Sequence, residues 1–174
     1  MERWDLYTED RKLSGKTMAR GEAIPSGLYH LVVGIWTVNS RGQVLLTLRH
    51  PRKEVYPNTW ENSGGAAQMG ETSLQAAVRE LAEETGIGAD PQELILLGTE
   101  GREGTIVDCY LLHKDISLMD IVLQEGETVD ARWATPYEVE QACADGSMAR
   151  PVARRWYQMR DQILAEIQKG SAKQ

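Results

Sequence analysis

Phenylalanine is absent from this chain of 174 residues, so leucine, valine, isoleucine, tryptophan and tyrosine must fill any core. Cysteine occurs twice, as Cys109 and Cys143, and neither stands in a Cys-x-x-Cys or Cys/His cluster. That scarcity excludes a disulfide framework and a thiolate zinc site, and leaves buried free thiols as the expectation. No apolar run approaches the ~18 residues that span a bilayer. The first residues, Met1 to Tyr7, contain no apolar signal region, so a soluble, cytoplasmic protein without a membrane partner is expected. Positive charge is also in deficit, with 19 Lys and Arg against 26 Asp and Glu and a net charge of −7. The basic residues are dispersed, which argues against an extended nucleic-acid surface but leaves room for a local phosphate pocket. Repeats and low-complexity runs are missing too. A chain of this length needs only one core, so a single domain over 1–174 is expected.

The informative stretch is Gly64 to Ile87. Within it Gly65, Glu71, Arg79, Glu80, Leu81, Glu83, Glu84, Gly86 and Ile87 follow a pattern: G, five residues, E, seven residues, then R-E-aliphatic-x-E-E-x-G-aliphatic. Thr72 or Ser73 is a suitable N-cap, good helix formers follow, and Gly86 is a stop signal, so a helix over 73–85 is expected. At about 100° per residue, Glu80, Glu83 and Glu84 share one arc, while Leu74, Ala77, Val78 and Leu81 lie on the other side. Carboxylates at i, i+3 and i+4 repel one another. A hard divalent cation, Mg²⁺ or Mn²⁺, reverses the sign of that energy. The plainer alternative is a solvated acidic face. Arg79 beside the arc suits a forked pair with one carboxylate, or an ordinary i, i+4 contact with Glu83.

Elsewhere, residues 4–8 and 16–19 suggest an N-terminal β-hairpin, leading into a loop to about 28. Leu31 to Val38 reads as a central strand buried on both faces, turning at 39–42 into a second strand at 43–48. Arg49 to Lys53 form a basic loop in which Arg49 or Lys53 could grip phosphate oxygens; a solvated loop is the alternative. Strands are expected at 94–99 and 105–112 around a turn at 100–104, with His113 structural or exposed rather than catalytic. An acidic loop then enters a strand at 129–134, followed by helices from Pro136 to about 144 and over 151–169, and a frayed tail at 170–174. The order implies an α/β fold with a mixed sheet held between helices.

The stretch from Gly64 to Ile87 resembles the box of the Nudix hydrolases, and the flanking strands suit that family's α/β/α sandwich. The resemblance implies hydrolysis of a diphosphate in a nucleoside diphosphate derivative or other small organic diphosphate, with Mg²⁺ or Mn²⁺ as cofactor. By motif position, Glu83 and Glu84 are metal ligands, Glu80 is a ligand or general base, and the Gly64 carbonyl adds a further ligand. Many members draw the base from a late loop, where Glu127 and Glu125 are the candidates here. Family habit favours a homodimer.

A narrower similarity, running from Trp4 through Tyr29, His30, Asn39, Arg49, Lys53 and Pro57 to Trp60–Ser63, is to the type I isopentenyl diphosphate isomerases. In those enzymes the positions of Arg49 and Lys53 bind diphosphate, so both become expected substrate contacts. The isomerase cysteine, however, falls on Gly64, and a metal histidine falls on Ala66. Without that thiol, proton transfer lacks its acid/base pair, whereas the Arg79, Glu80, Glu83, Glu84 set used in hydrolysis is complete. The expectation is a hydrolase from the isomerase-like branch. An isomerase, or a sensor that binds nucleotide without turnover, are the competing readings.

Overall fold

The structure is a computed structural model describing residues 2–102 and 104–171. Its chain runs β1 (Arg3–Tyr7), β2 (Leu13–Ala19), β3 (Tyr29–Val38), β4 (Val44–Arg49), β5 (Trp60–Glu61), β6 (Ser63–Ala66), α1 (Ser73–Thr85), β7 (Ile95–Arg102), β8 (Thr105–His113), β9 (Thr128–Ala134), α2 (Pro136–Asp145) and α3 (Arg150–Ser171). β3 is the hub. It lies parallel to β8 from His30↔Thr105 to Val38↔His113 and antiparallel to β6 from Val32↔Ala66 to Ile35↔Ser63.

Alternation along β3 divides the core into two layers. Val33 and Ile35 face Ala76, Ala77 and Leu81 of α1. Trp36 and Val38 face the other way, into Val139 of α2 and Val152, Trp156 and Ile163 of α3. Trp36 and Trp156 meet edge to face with centroids 5.4 Å apart. A mixed sheet is thus enclosed by α1 on one side and by α2 and α3 on the other, the expected sandwich.

α1 spans the expected residues because its ends are chemically marked. Thr72 accepts a hydrogen bond from the Gln75 amide and Gln75 reaches back to Thr72, a reciprocal cap. At the other end Gly86 adopts φ 72° and its amide bonds the Ala82 carbonyl at 2.9 Å. A side chain would strain that left-handed conformation.

The sequence reading needs correction in four places. β3 and β4 pair only at Val38↔Val44, and β4 then leaves to pair with β5 and β9. The reason is that β6 occupies the edge of β3 beyond that point. β5 and β6 were unexpected, because β5 has only two residues and β6 is short and glycine-rich, so neither shows a period of two. The turn expected at 100–104 is shorter, since β7 continues to Arg102 as an edge strand that tolerates Gly98 and Gly101. In place of a tail from 170, α3 continues to Ser171; residues 172–174 lie outside the described residues. Of the two free thiols, Cys109 is buried and Cys143 only partly so.

Candidate functional site

Beside the N-terminal hairpin, one cleft of about 340 Å³ collects Glu80, Glu83 and Glu84 from α1, Gly64 and Gly65 from β6, Arg49 from the end of β4, Lys53 from the loop that follows, and Glu127. These residues are distant in sequence. They meet because β6 runs alongside β3 directly before α1, while the pairing of β4 with β9 brings the loop after β4 against the loop before β9. His50 donates its amide to the Glu127 carbonyl at 2.8 Å across that junction.

Glu84 is the most enclosed of the helix carboxylates, 8% exposed, and accepts from the Gly64 amide at 3.0 Å. Burial, and then the nearby Glu61 charge, raises its pKa well above the ordinary carboxylate value. Burial also raises Glu80, against the pull of Arg79. Glu83 lies nearer the rim. Gly65 is where Glu80 rests: a methyl group there would collide with its carboxylate. At Gly64 a side chain would overlap the Val33 carbonyl oxygen.

Arg79 organises this wall. Its Nε and Nη2 form a fork to Glu71 at 2.7 and 2.8 Å, while Nη1 donates to Glu80 at 2.8 Å and to Glu83 at 3.1 Å. The fork therefore goes to Glu71, in the turn before α1, and the i, i+4 contact with Glu83 coexists with it. The bond to Glu71 is the main reason that the Arg79 pKa is raised, and it lowers that of Glu71.

Lys53 pairs with Glu127. Arg49 is more heavily engaged, with Nη1 donating to both Glu61 oxygens at 2.9 Å and Nε and Nη2 donating to the carbonyls of Val55 and Tyr56. Glu125 is exposed outside the cleft, which separates it from Glu127. His113 Nε2 lies 3.7 Å from a Glu166 carboxylate oxygen, away from the cleft.

Trp4, Arg20, Gln68 and Gln124 also line the cleft and were not anticipated as site residues. Trp4 stacks on His30 at 4.6 Å. Part-buried Glu61, the partner of Arg49, was missed too. Its only sequence signal was its place in the Trp60–Ser63 run, which carries no spacing rule of its own.

A NUDIX domain family model matches residues 28–156. The chain belongs to the Nudix hydrolase family. An uncharacterised Nudix hydrolase of Listeria monocytogenes is 41% identical over 152 residues, covering 84% of this chain and 87% of that protein. Similarity extends to the isopentenyl-diphosphate Delta-isomerase of Escherichia coli, 38% identical over 112 residues, or 61% of this chain and 62% of that enzyme. The crystal structure of a Deinococcus radiodurans protein superposes with a TM-score of 0.74 at 25% identity, covering 90% of this chain and 99% of that one. The Nudix chain thus bears out both the fold and the isomerase-like affinity expected from its box and landmarks.

Nudix enzymes generally use divalent metals, and the donors here are all oxygens, as a hard cation requires. Among the described residues no three His, Cys, Asp or Glu side chains already converge as a cation cage. Glu80 and Glu83 turn instead to Arg79, and Glu84 to Gly64.

Proposed function

We propose that this chain hydrolyses a diphosphate linkage in a nucleoside diphosphate derivative or another organic diphosphate, using Mg²⁺ or Mn²⁺. The observation that carries this reading is the meeting of Glu80, Glu83, Glu84, Gly64, Lys53 and Glu127 around one polar cleft. Glu80, Glu83, Glu84 and the Gly64 carbonyl would hold the cation, which when bound neutralises charge on the diphosphate oxygens. The buried acids fit that role, because a cation would offset the repulsion and desolvation that raise their pKa values.

The side chains then divide the work. Arg79 positions Glu80 and Glu83. Lys53 donates to the substrate phosphate oxygens, exchanging Glu127 for them. Glu127, so released, accepts a proton from the attacking water as the bridging P–O bond breaks. Glu80 is the other candidate base, but its bond to Arg79 favours a ligand role. Arg49 reaches the substrate through what its contacts with Glu61, Val55 and Tyr56 leave free, and mainly holds the loop.

Isomerisation is disfavoured by Gly64, whose surroundings leave no room for a thiol. The test is a panel of nucleotide and isoprenoid diphosphates with Mg²⁺ or Mn²⁺, with products identified by mass spectrometry. Phosphate or monophosphate release is expected, and E83Q should reduce it by about 10²-fold, as loss of a metal ligand does. Absence of any product across the panel would overturn the reading. Conversion of isopentenyl to dimethylallyl diphosphate, followed by NMR, would replace it with an isomerase.

A further inference from the structure

A second cavity, of about 720 Å³, is lined by Arg102, Arg150, Arg154 and Arg155, together with Tyr56 and Val107. Four of the chain's 19 basic residues thus share one hollow in a protein of net charge −7. Surface arginines are commonly solvated or paired, and pairing does account for one of these. Arg154 donates Nε and Nη2 to Glu100 at 2.6 and 3.0 Å. Arg102, Arg150 and Arg155 have no carboxylate at ion-pair distance among the described residues. Arg155 is the most enclosed, and its Nε is sealed from solvent without an acceptor.

A guanidinium nitrogen buried without an acceptor is costly in an empty fold. Burial accordingly lowers the Arg155 pKa. The field is reinforced by α3, whose first two residues, Arg150 and Pro151, stand on the cavity wall with the positive end of the helix dipole. An apolar tail or a neutral base would leave three guanidinium groups unmatched. A tetrahedral phosphate presents enough oxygens to engage several forks at once.

The cavity and the carboxylate cleft lie on opposite faces of the β3–β6 pair, the side of Gly34 facing Arg155 and the side of Gly65 facing Glu80. Gly64, whose amide holds Glu84, pairs across the sheet with Gly34. A methyl group at Gly34 would lie 3.9 Å from Arg155 Nε. Glu84 and Arg155 are thus separated by one pair of glycines. Tyr56 provides a second link, since it lines the arginine cavity while its carbonyl accepts from Arg49 in the cleft.

We propose that this cavity is a phosphoryl-binding site. Such a group has two sources: the far end of a diphosphate substrate, which rests on the hydrolase reading above, or a free phosphate ion.

The first arm of the test needs neither metal nor turnover. The full ¹⁵N-labelled chain in EDTA is titrated with inorganic phosphate while the arginine Nε–H resonances are followed, with R155K identifying the Arg155 signal. A saturable shift of that signal is expected, and R102Q and R150Q should each weaken binding about tenfold, as loss of a charge-assisted contact does. Arg102 and Arg150 are exposed, and an unchanged amide spectrum will verify the fold of both variants. No saturable shift, or full affinity in both variants, would overturn the proposal.

The second arm compares kcat/KM for two organic diphosphates that differ only in a phosphate remote from the scissile linkage. A preference of about tenfold or more for the phosphorylated one, falling toward unity in R150Q, assigns the site to the substrate. A ratio near unity with binding retained in the first arm assigns it to free phosphate. If neither compound is cleaved, the hydrolase reading fails while the first arm still decides the site.

Discussion

Arg79 and Glu71 form a two-pronged ion pair, with Nε to Oε1 at 2.7 Å and Nη2 to Oε2 at 2.8 Å, that ties the turn before α1 to the middle of that helix. The remaining nitrogen, Nη1, reaches Glu80 and Glu83. Arg79 therefore sets the separation between the helix carboxylates and the preceding turn.

Lysine keeps the charge of Arg79 but not the planar fork. R79K should lower kcat/KM by about 10- to 100-fold, as loss of a group that orients metal ligands does, with the thermal midpoint less affected. Steady-state kinetics and calorimetry on the same preparation check both parts. Full activity in R79K would show that only the charge matters.

G65A places a methyl group where the Glu80 carboxylate lies. The carboxylate must swing away, so activity should fall by about 10²-fold while Mg²⁺ affinity drops. Titration of activity against Mg²⁺ concentration measures this. An unchanged Mg²⁺ requirement would remove Glu80 from the ligand set.

E84Q replaces a buried carboxylate with a neutral isostere. In EDTA the variant should melt no lower than the parent, because the desolvated charge has gone. Added Mg²⁺ should stabilise the parent through preferential binding to the folded state, and E84Q much less. Scanning calorimetry with and without Mg²⁺ reads both effects. Equal stabilisation of the two proteins would mean that Glu84 does not hold the ion.

Acid should weaken the protein through Asp108. This buried residue accepts from Arg11 at 2.8 and 2.6 Å and from Thr99 at 2.6 Å. Burial raises its pKa, but the hydrogen bonds from Arg11, Ser73 and Thr99 outweigh burial and leave it lowered. A lowered folded pKa contributes stability that is present above the unfolded value of about 3.9 and is lost as pH falls through the folded value. D108N should therefore lose about 1–3 kcal/mol at neutral pH, with the gap to the parent narrowing below about pH 4. Urea unfolding at pH 7 and pH 3 tests the sign. A constant gap would assign the loss to packing.

The sequence disclosed what is local. α1 was legible at both ends because Thr72, Gln75 and Gly86 act within one turn of themselves, and the arc of Glu80, Glu83 and Glu84 follows from helical geometry alone. The Arg79–Glu71 fork was not legible, since eight positions separate the two and Glu71 lies outside the helix. Nor was the Arg49–Glu61 pair, which exists because Thr47 and Glu61 are opposed across β4 and β5. Glu125 and Glu127 had equal standing in an acidic loop until the junction with His50 placed only Glu127 in the cleft. The arginine cavity was hidden for the same reason: Arg102 and Arg150 are separated by a strand, a loop and two further elements, and only the packing of α3 on β7 and β8 brings them together.

The partner of Glu84 is a main-chain amide, which every amino acid except proline supplies. Mutation at residue 64 therefore seldom deletes the donor itself. What holds that position to glycine in this backbone is the lack of room beside the Val33 carbonyl, so a side chain at residue 64 requires a shift of β6 against β3, and variation at this site is limited by crowding of backbone rather than by loss of a side-chain partner.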